Sequence, residues 1–111
     1  MVETDASKLV GWSYHITNWG EVQSGQWPDG FSQLATNAYE INYKETWTVV
    51  ECVKREGHRF HGWRVLFRVD NTCAVHYVCF RYGRVPDLER LIEPLEDAEL
   101  EHGFWAQALK I

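Results

Sequence analysis

The chain has no apolar run approaching the ~18 residues that a membrane-spanning helix needs, which excludes such a span. Cysteine is scarce and odd in number. Cys52, Cys73 and Cys79 sit in apolar stretches, the setting of reduced thiols and not of a disulfide framework. No C-x-x-C or H-x-x-x-H spacing occurs, so no metal or other cofactor is expected. The phosphate loop G-x-x-x-x-G-K-[ST], the dinucleotide fingerprint G-x-G-x-x-G and the nucleophile elbow G-x-S-x-G are all missing. Internal repeats and low-complexity tracts are absent too. The first residues, Val2 to Lys8, are polar and acidic and lack the basic and apolar regions of a secretory signal, so a cytoplasmic location is expected.

What remains is ordinary globular material. The chain has 111 residues, 45% hydrophobic and 24% charged. That is one domain's worth, able to bury roughly two-thirds of its extended surface in one core. Aromatics reach 14%, with six tryptophans, so rings dominate either the core or a contact surface. The net charge of −5 argues against non-specific nucleic-acid binding by the whole molecule. Charge is uneven, however. Residues 1–43 hold one base against five acids, residues 44–86 eight bases against four acids, and residues 87–111 two bases against seven acids.

Read along the chain, residues 1–8 are expected to be frayed, with a single α+β domain over 9–111. Leu9–Thr17 reads as a strand and Asn18–Gly30 as a loop bearing Trp19 and Trp27. Phe31, Leu34, Ala35 and Ala38 have helical spacing, which predicts a short helix over 31–39. Three alternating runs, Thr46–Arg55, Phe60–Asp70 and Cys73–Tyr82, are separated by Glu56-Gly57 and Asp70-Asn71. They predict an antiparallel meander over 46–82 in a sheet of about four to five strands. Its Trp63/Val65/Phe67/Val69 row should face the core, and Arg64 and Arg68 should face water or a partner. Val85-Pro86-Asp87 starts a helix whose Leu88, Leu91, Ile92 and Leu95 form an apolar stripe, with Glu89, Glu93, Glu96 and Asp97 opposite. This acidic amphipathic helix and the short one are expected to pack on the sheet, an α+β arrangement. Phe104–Leu109 is expected to be a last apolar turn.

The acidic helix face is the strongest functional signal. Glu and Lys do not alternate along it as they would on a purely structural helix, so it suits docking on a basic surface. Glu89, Glu93, Glu96 and Asp97 are the expected steering residues, with Trp19 and Trp27 as anchors. Arg64 and Arg68, with Arg55, Arg59, Arg81 and Arg84 on neighbouring elements, allow single-strand nucleic-acid binding, although internal neutralisation by the acidic helix explains them more simply. His58, His61 and His76 do not converge on an extended chain. Tyr14, His15, Asp70, His76 and Tyr77 are candidates to line a small-molecule or catalytic cup, but no nucleophile–base pair marks one and no catalytic residue is assigned.

In general profile the chain looks like the small, acidic, motif-poor inhibitors and immunity proteins, phage-encoded anti-defence proteins among them. That resemblance covers size, charge and absence of motif, and it implies no residue roles. The expectation is a protein-binding module that occupies a partner's basic or nucleic-acid-binding surface. Catalysis and nucleic-acid binding rank behind it, and a homodimer is compatible with an aromatic-rich sheet edge.

Overall fold

A computed structural model describes residues 1–6, 11–28 and 40–111. Its elements are β1 (Val2–Ala6), β2 (Gly11–Ile16), β3 (Glu21–Gln26), α1 (Glu40–Glu56), β4 (Arg64–Val69), α2 (Thr72–Phe80), α3 (Pro86–His102) and β5 (Trp105–Lys110). The five strands form one sheet in the order β3-β2-β1-β4-β5. β1–β2 and β2–β3 are antiparallel, whereas β1–β4 and β4–β5 are parallel. The fold is therefore α+β with a mixed sheet, and the purely antiparallel sheet is corrected.

Residues 2–6, read from sequence as part of a frayed end, form the central strand of this sheet. Val2, Thr4 and Ala6 are buried and alternate with Glu3 and Asp5. The same alternation buries Trp12, Tyr14 and Ile16 on β2, Val65, Phe67 and Val69 on β4, and Ala106 and Ala108 on β5. These inward rows meet α1 and α2, α1 over β1 and β2 and α2 over β4 and β5. Arg64 and Arg68 lie on the opposite face, where no described element covers them.

The meander over 46–82 is overturned: only 64–69 is a strand. Residues 46–56 belong to α1, a 17-residue helix. A run that long exceeds ordinary strand length, and its valines also satisfy a helical period. Glu45, Thr48, Val49, Cys52, Val53 and Glu56 recur every three or four residues and are all buried. Asp70-Asn71 is not a hairpin turn. Asn71 caps α2, its side chain accepting from the Ala74 N–H at 2.8 Å. Cys73 and Cys79 consequently sit on a helix. α3 is not the last element: Gly103, at φ +70°, ends it and β5 follows, formed by residues expected to be a terminal turn. Leu88, Ile92, Leu95 and Ala98 of α3 are buried, chiefly against α1 instead of against the sheet. The short helix expected at 31–39 lies outside the described residues.

Candidate carboxylate site

Because β1 and β4 run parallel, their carboxyl ends open on the same side of the sheet. Open α/β sheets bind ligands at such ends, near the point where strand order changes direction. Asp5 stands near the end of β1, and Asp70 directly follows β4. The observed register pairs Glu3 with Arg68, so two further steps bring Asp5 beside Asp70. Both acids line one open surface cavity of about 360 Å³ together with Ser13, Tyr14, His15 and Val22. A second open cavity, of about 410 Å³, shares Asp5 and Ser13 and continues past Ser24, Gly25 and Gln26. The two make an elongated groove across β1, β2 and β3.

A further carboxylate stands on α1, outside both cavities. Glu45 is only 5% exposed, and its Oε2 has no hydrogen-bond partner. Among the described residues it is the one buried side-chain oxygen or nitrogen in that condition. Burial pushes its carboxyl up to about 7, and the negative fields of Asp5 and Asp70 push in the same direction. A buried acid without a donor is costly. Glu45 lies on the helix-covered face of the sheet and lines neither cavity, whereas Asp5 is on the open face. Opposing charge is sparse: Lys110 Nζ lies 2.9 Å from Asp70 Oδ1, and Arg68 is 3.9 Å from Glu3. Among the described residues, no three His, Cys, Asp or Glu side chains close on a single point as a full set of metal ligands. A Mg²⁺-type ion does not require that, because it keeps several waters and takes one or two carboxylates plus substrate phosphate.

The residues singled out from sequence lie elsewhere. Glu89, Glu93, Glu96 and Asp97 are exposed along α3. Glu89 accepts from the Gly83 N–H at 3.1 Å. Neutralisation of the sheet arginines by this helix does not occur at Arg64 or Arg68, which are on the far face; it occurs at Arg81, whose guanidinium binds both oxygens of Glu99 and the Ala106 carbonyl. Trp19 and Trp27 are half-buried. Trp19 stacks on Phe60 at 6.0 Å with the Arg59 guanidinium 3.9 Å from its ring centroid, and Trp27 packs edge-on against Trp47 at 5.7 Å. His58 and His102 approach to 6.5 Å between ring centroids, while His76 packs against Phe80 at 4.9 Å. Of the proposed cup residues, Tyr14, His15 and Asp70 do share one cavity, and His76 and Tyr77 do not line it.

Asp5 escaped the sequence reading as a site residue, and Glu45 escaped it as a buried acid. The available signal for Glu45 was an acid on the buried phase of a helix, in step with Thr48, Val49 and Cys52. No protein-family model matches the chain, and no curated protein matches it significantly. No described helix is long and apolar enough to cross a membrane.

Proposed function

We propose that this chain carries a divalent-cation-dependent phosphodiesterase site, with Asp5 and Asp70 as its acidic residues and a nucleic-acid strand as its substrate. The observation that carries the reading is the open cavity that Asp5 and Asp70 line together at the carboxyl ends of two parallel strands. A hard cation such as Mg²⁺ or Mn²⁺ would compensate the two acids, polarise a phosphoryl oxygen and lower the pKa of a bound water. Water then adds to phosphorus, the P–O ester bond breaks, and the products are a phosphomonoester and an alcohol. The extended substrate follows from shape. The groove is open and runs past Asp5 in two directions, whereas a small ligand is usually enclosed over ~70–90% of its surface.

The test uses the intact chain with Mn²⁺ or Mg²⁺ and labelled single-stranded and duplex oligonucleotides of DNA, RNA and the hybrid. Cleavage should require the cation and fall by about 100-fold or more in Asp5→Asn and Asp70→Asn, with folding retained by circular dichroism. Cleavage that persists in chelator, or in both variants, would remove the reading.

A second reading rests on a separate observation, the joint exposure of Glu89, Glu93, Glu96 and Asp97 on one helix. Such a face would steer the domain onto a protein partner with a basic surface. Reversing those four charges should slow association and flatten its salt dependence. Unchanged association kinetics would exclude it.

A further inference from the structure

The alternation that turns Val65, Phe67 and Val69 of β4 inward turns Arg64, Leu66 and Arg68 to the open face of the sheet. On β5 the same period turns Trp105, Gln107 and Leu109 outward. The register sets Arg64 beside Trp105, Leu66 beside Gln107 and Arg68 beside Leu109. The Trp105 ring is left 65% exposed. Arg64 is exposed as well and makes no ion pair among the described residues. With Gln107 these two line an open cavity of about 330 Å³ along β5. We propose that this face is a contact for single-stranded nucleic acid, in which one base stacks on the Trp105 indole and the Arg64 guanidinium takes a neighbouring phosphate. The proposal goes beyond the phosphodiesterase reading, since it needs neither aspartate and no cation.

The charge balance of the face leaves Arg64 available to an anion. Arg81 lines the same cavity, but both oxygens of Glu99 hold its guanidinium, so that pair is neutral. Arg68 lies four residues along β4, roughly 13 Å from Arg64, and extends the row. Its own partner is loose, Glu3 at 3.9 Å. The chemistry of the two leading residues is complementary to a nucleotide. A guanidinium meets a phosphate with two parallel N–H donors, and any base offers a flat face to an exposed indole. A duplex keeps its bases stacked on one another and has no free face for Trp105, so the surface suits a single strand. An acidic stretch of protein would satisfy Arg64 and leave the indole in water. The net charge of −5 limits attraction at long range, so the contact is short-ranged and its affinity modest.

The experiment is fluorescence anisotropy of a labelled oligothymidylate, and of a duplex of equal length, with the intact chain at low salt in chelator. Wild type should bind the single strand and prefer it to the duplex. Trp105→Ala should weaken binding about tenfold, and Trp105→Phe, which keeps a ring, should restore most of it. Arg64→Gln should weaken binding about three- to tenfold and lower the slope of log affinity against log salt by about one. Both side chains are exposed, so the variants should fold, which circular dichroism checks. A polyglutamate peptide should fail to displace the oligonucleotide. The proposal is overturned if wild type shows no binding in chelator, or if Trp105→Ala and Arg64→Gln bind as wild type does. Equal displacement by polyglutamate would overturn it too, because the face would then be a contact for any polyanion. Cation-dependent cleavage at Asp5 and Asp70 is read separately with Mn²⁺ or Mg²⁺, and none of these outcomes decides it.

Discussion

Glu45 shows how one buried residue ties stability to pH. Its carboxyl ionises near pH 4.5 in an unfolded chain and at about 7 in the folded one. Between those values the folded state keeps a proton that the unfolded state has released, so stability declines as pH rises from about 4.5 through about 7. Glu45→Gln cannot ionise. At pH 8 it should be more stable than wild type by ~3 kcal/mol, with the gap closing at pH 4.5, as urea denaturation at the two pH values will show. A gap of equal size at both would mean that ionisation is not the cause. A second test at this scale concerns Gly25. A Cβ there would lie 2.7 Å from the Trp12 ring. That ring is held by Tyr14 stacking at 6.0 Å, Trp47 at 5.8 Å and the Arg55 guanidinium at 4.8 Å, so it cannot retreat. Gly25→Ala should cost ~1–3 kcal/mol in the same denaturation measurement.

At the scale of elements, the junction between β4 and α2 matters most, because it delivers Asp70. Asn71 accepts from the Ala74 N–H and donates to Asn42 Oδ1 on α1 at 2.8 Å. One side chain thus starts α2 and ties the strand end to the helix that carries Glu45. Asn71→Ala should lose ~1–2 kcal/mol of stability, and Asn71→Asp should recover only the capping share, since it lacks the donor for Asn42. The far edge of the sheet is managed differently. Cys79 Sγ donates to the Ala108 carbonyl at 3.3 Å and Arg81 donates to that of Ala106 at 2.9 Å, so α2 and its C-cap occupy part of the edge of β5. An edge so occupied is a poor template for pairing with another copy. Arg81 itself holds φ +68°, a left-handed conformation that costs a non-glycine residue ~1–2 kcal/mol, and its bonds to Glu99 offset that strain.

Across the described residues, the helices pack on one face of the sheet, and Asp5 and Asp70 line an open cavity at the carboxyl ends of β1 and β4. A cation that binds the folded state and not the unfolded chain raises the melting temperature by mass action. At one hundred times its dissociation constant the gain is ~2.7 kcal/mol. Mn²⁺ should therefore raise the melting temperature of the wild type by several degrees and leave Asp70→Asn unmoved. Equal shifts in both would assign the effect to non-specific screening. The net charge of −5 belongs to this scale too. It disfavours loose attraction to nucleic acid, so under the proposed reading oligonucleotide binding at Asp5 and Asp70 should depend on added cation and not on bulk electrostatics.

Much of this was legible without coordinates of any kind, and the rest was not, for a physical reason. Composition and alternation alone determined an α+β domain with Val65, Phe67 and Val69 turned inward and Arg64 and Arg68 turned outward, because a strand's side chains obey a period of two whatever its neighbours are. Residues 46–56 and 72–80 carry valine and aromatic patterns that suit either a strand or a buried helix, and only packing against the sheet chose the helix. The carboxylate site lay further still from view. Asp5 and Asp70 carry no signal singly and are 65 residues apart. Their sharing of one cavity depends on which strands run parallel and in what register, and that is decided by long-range burial, not by any local signal.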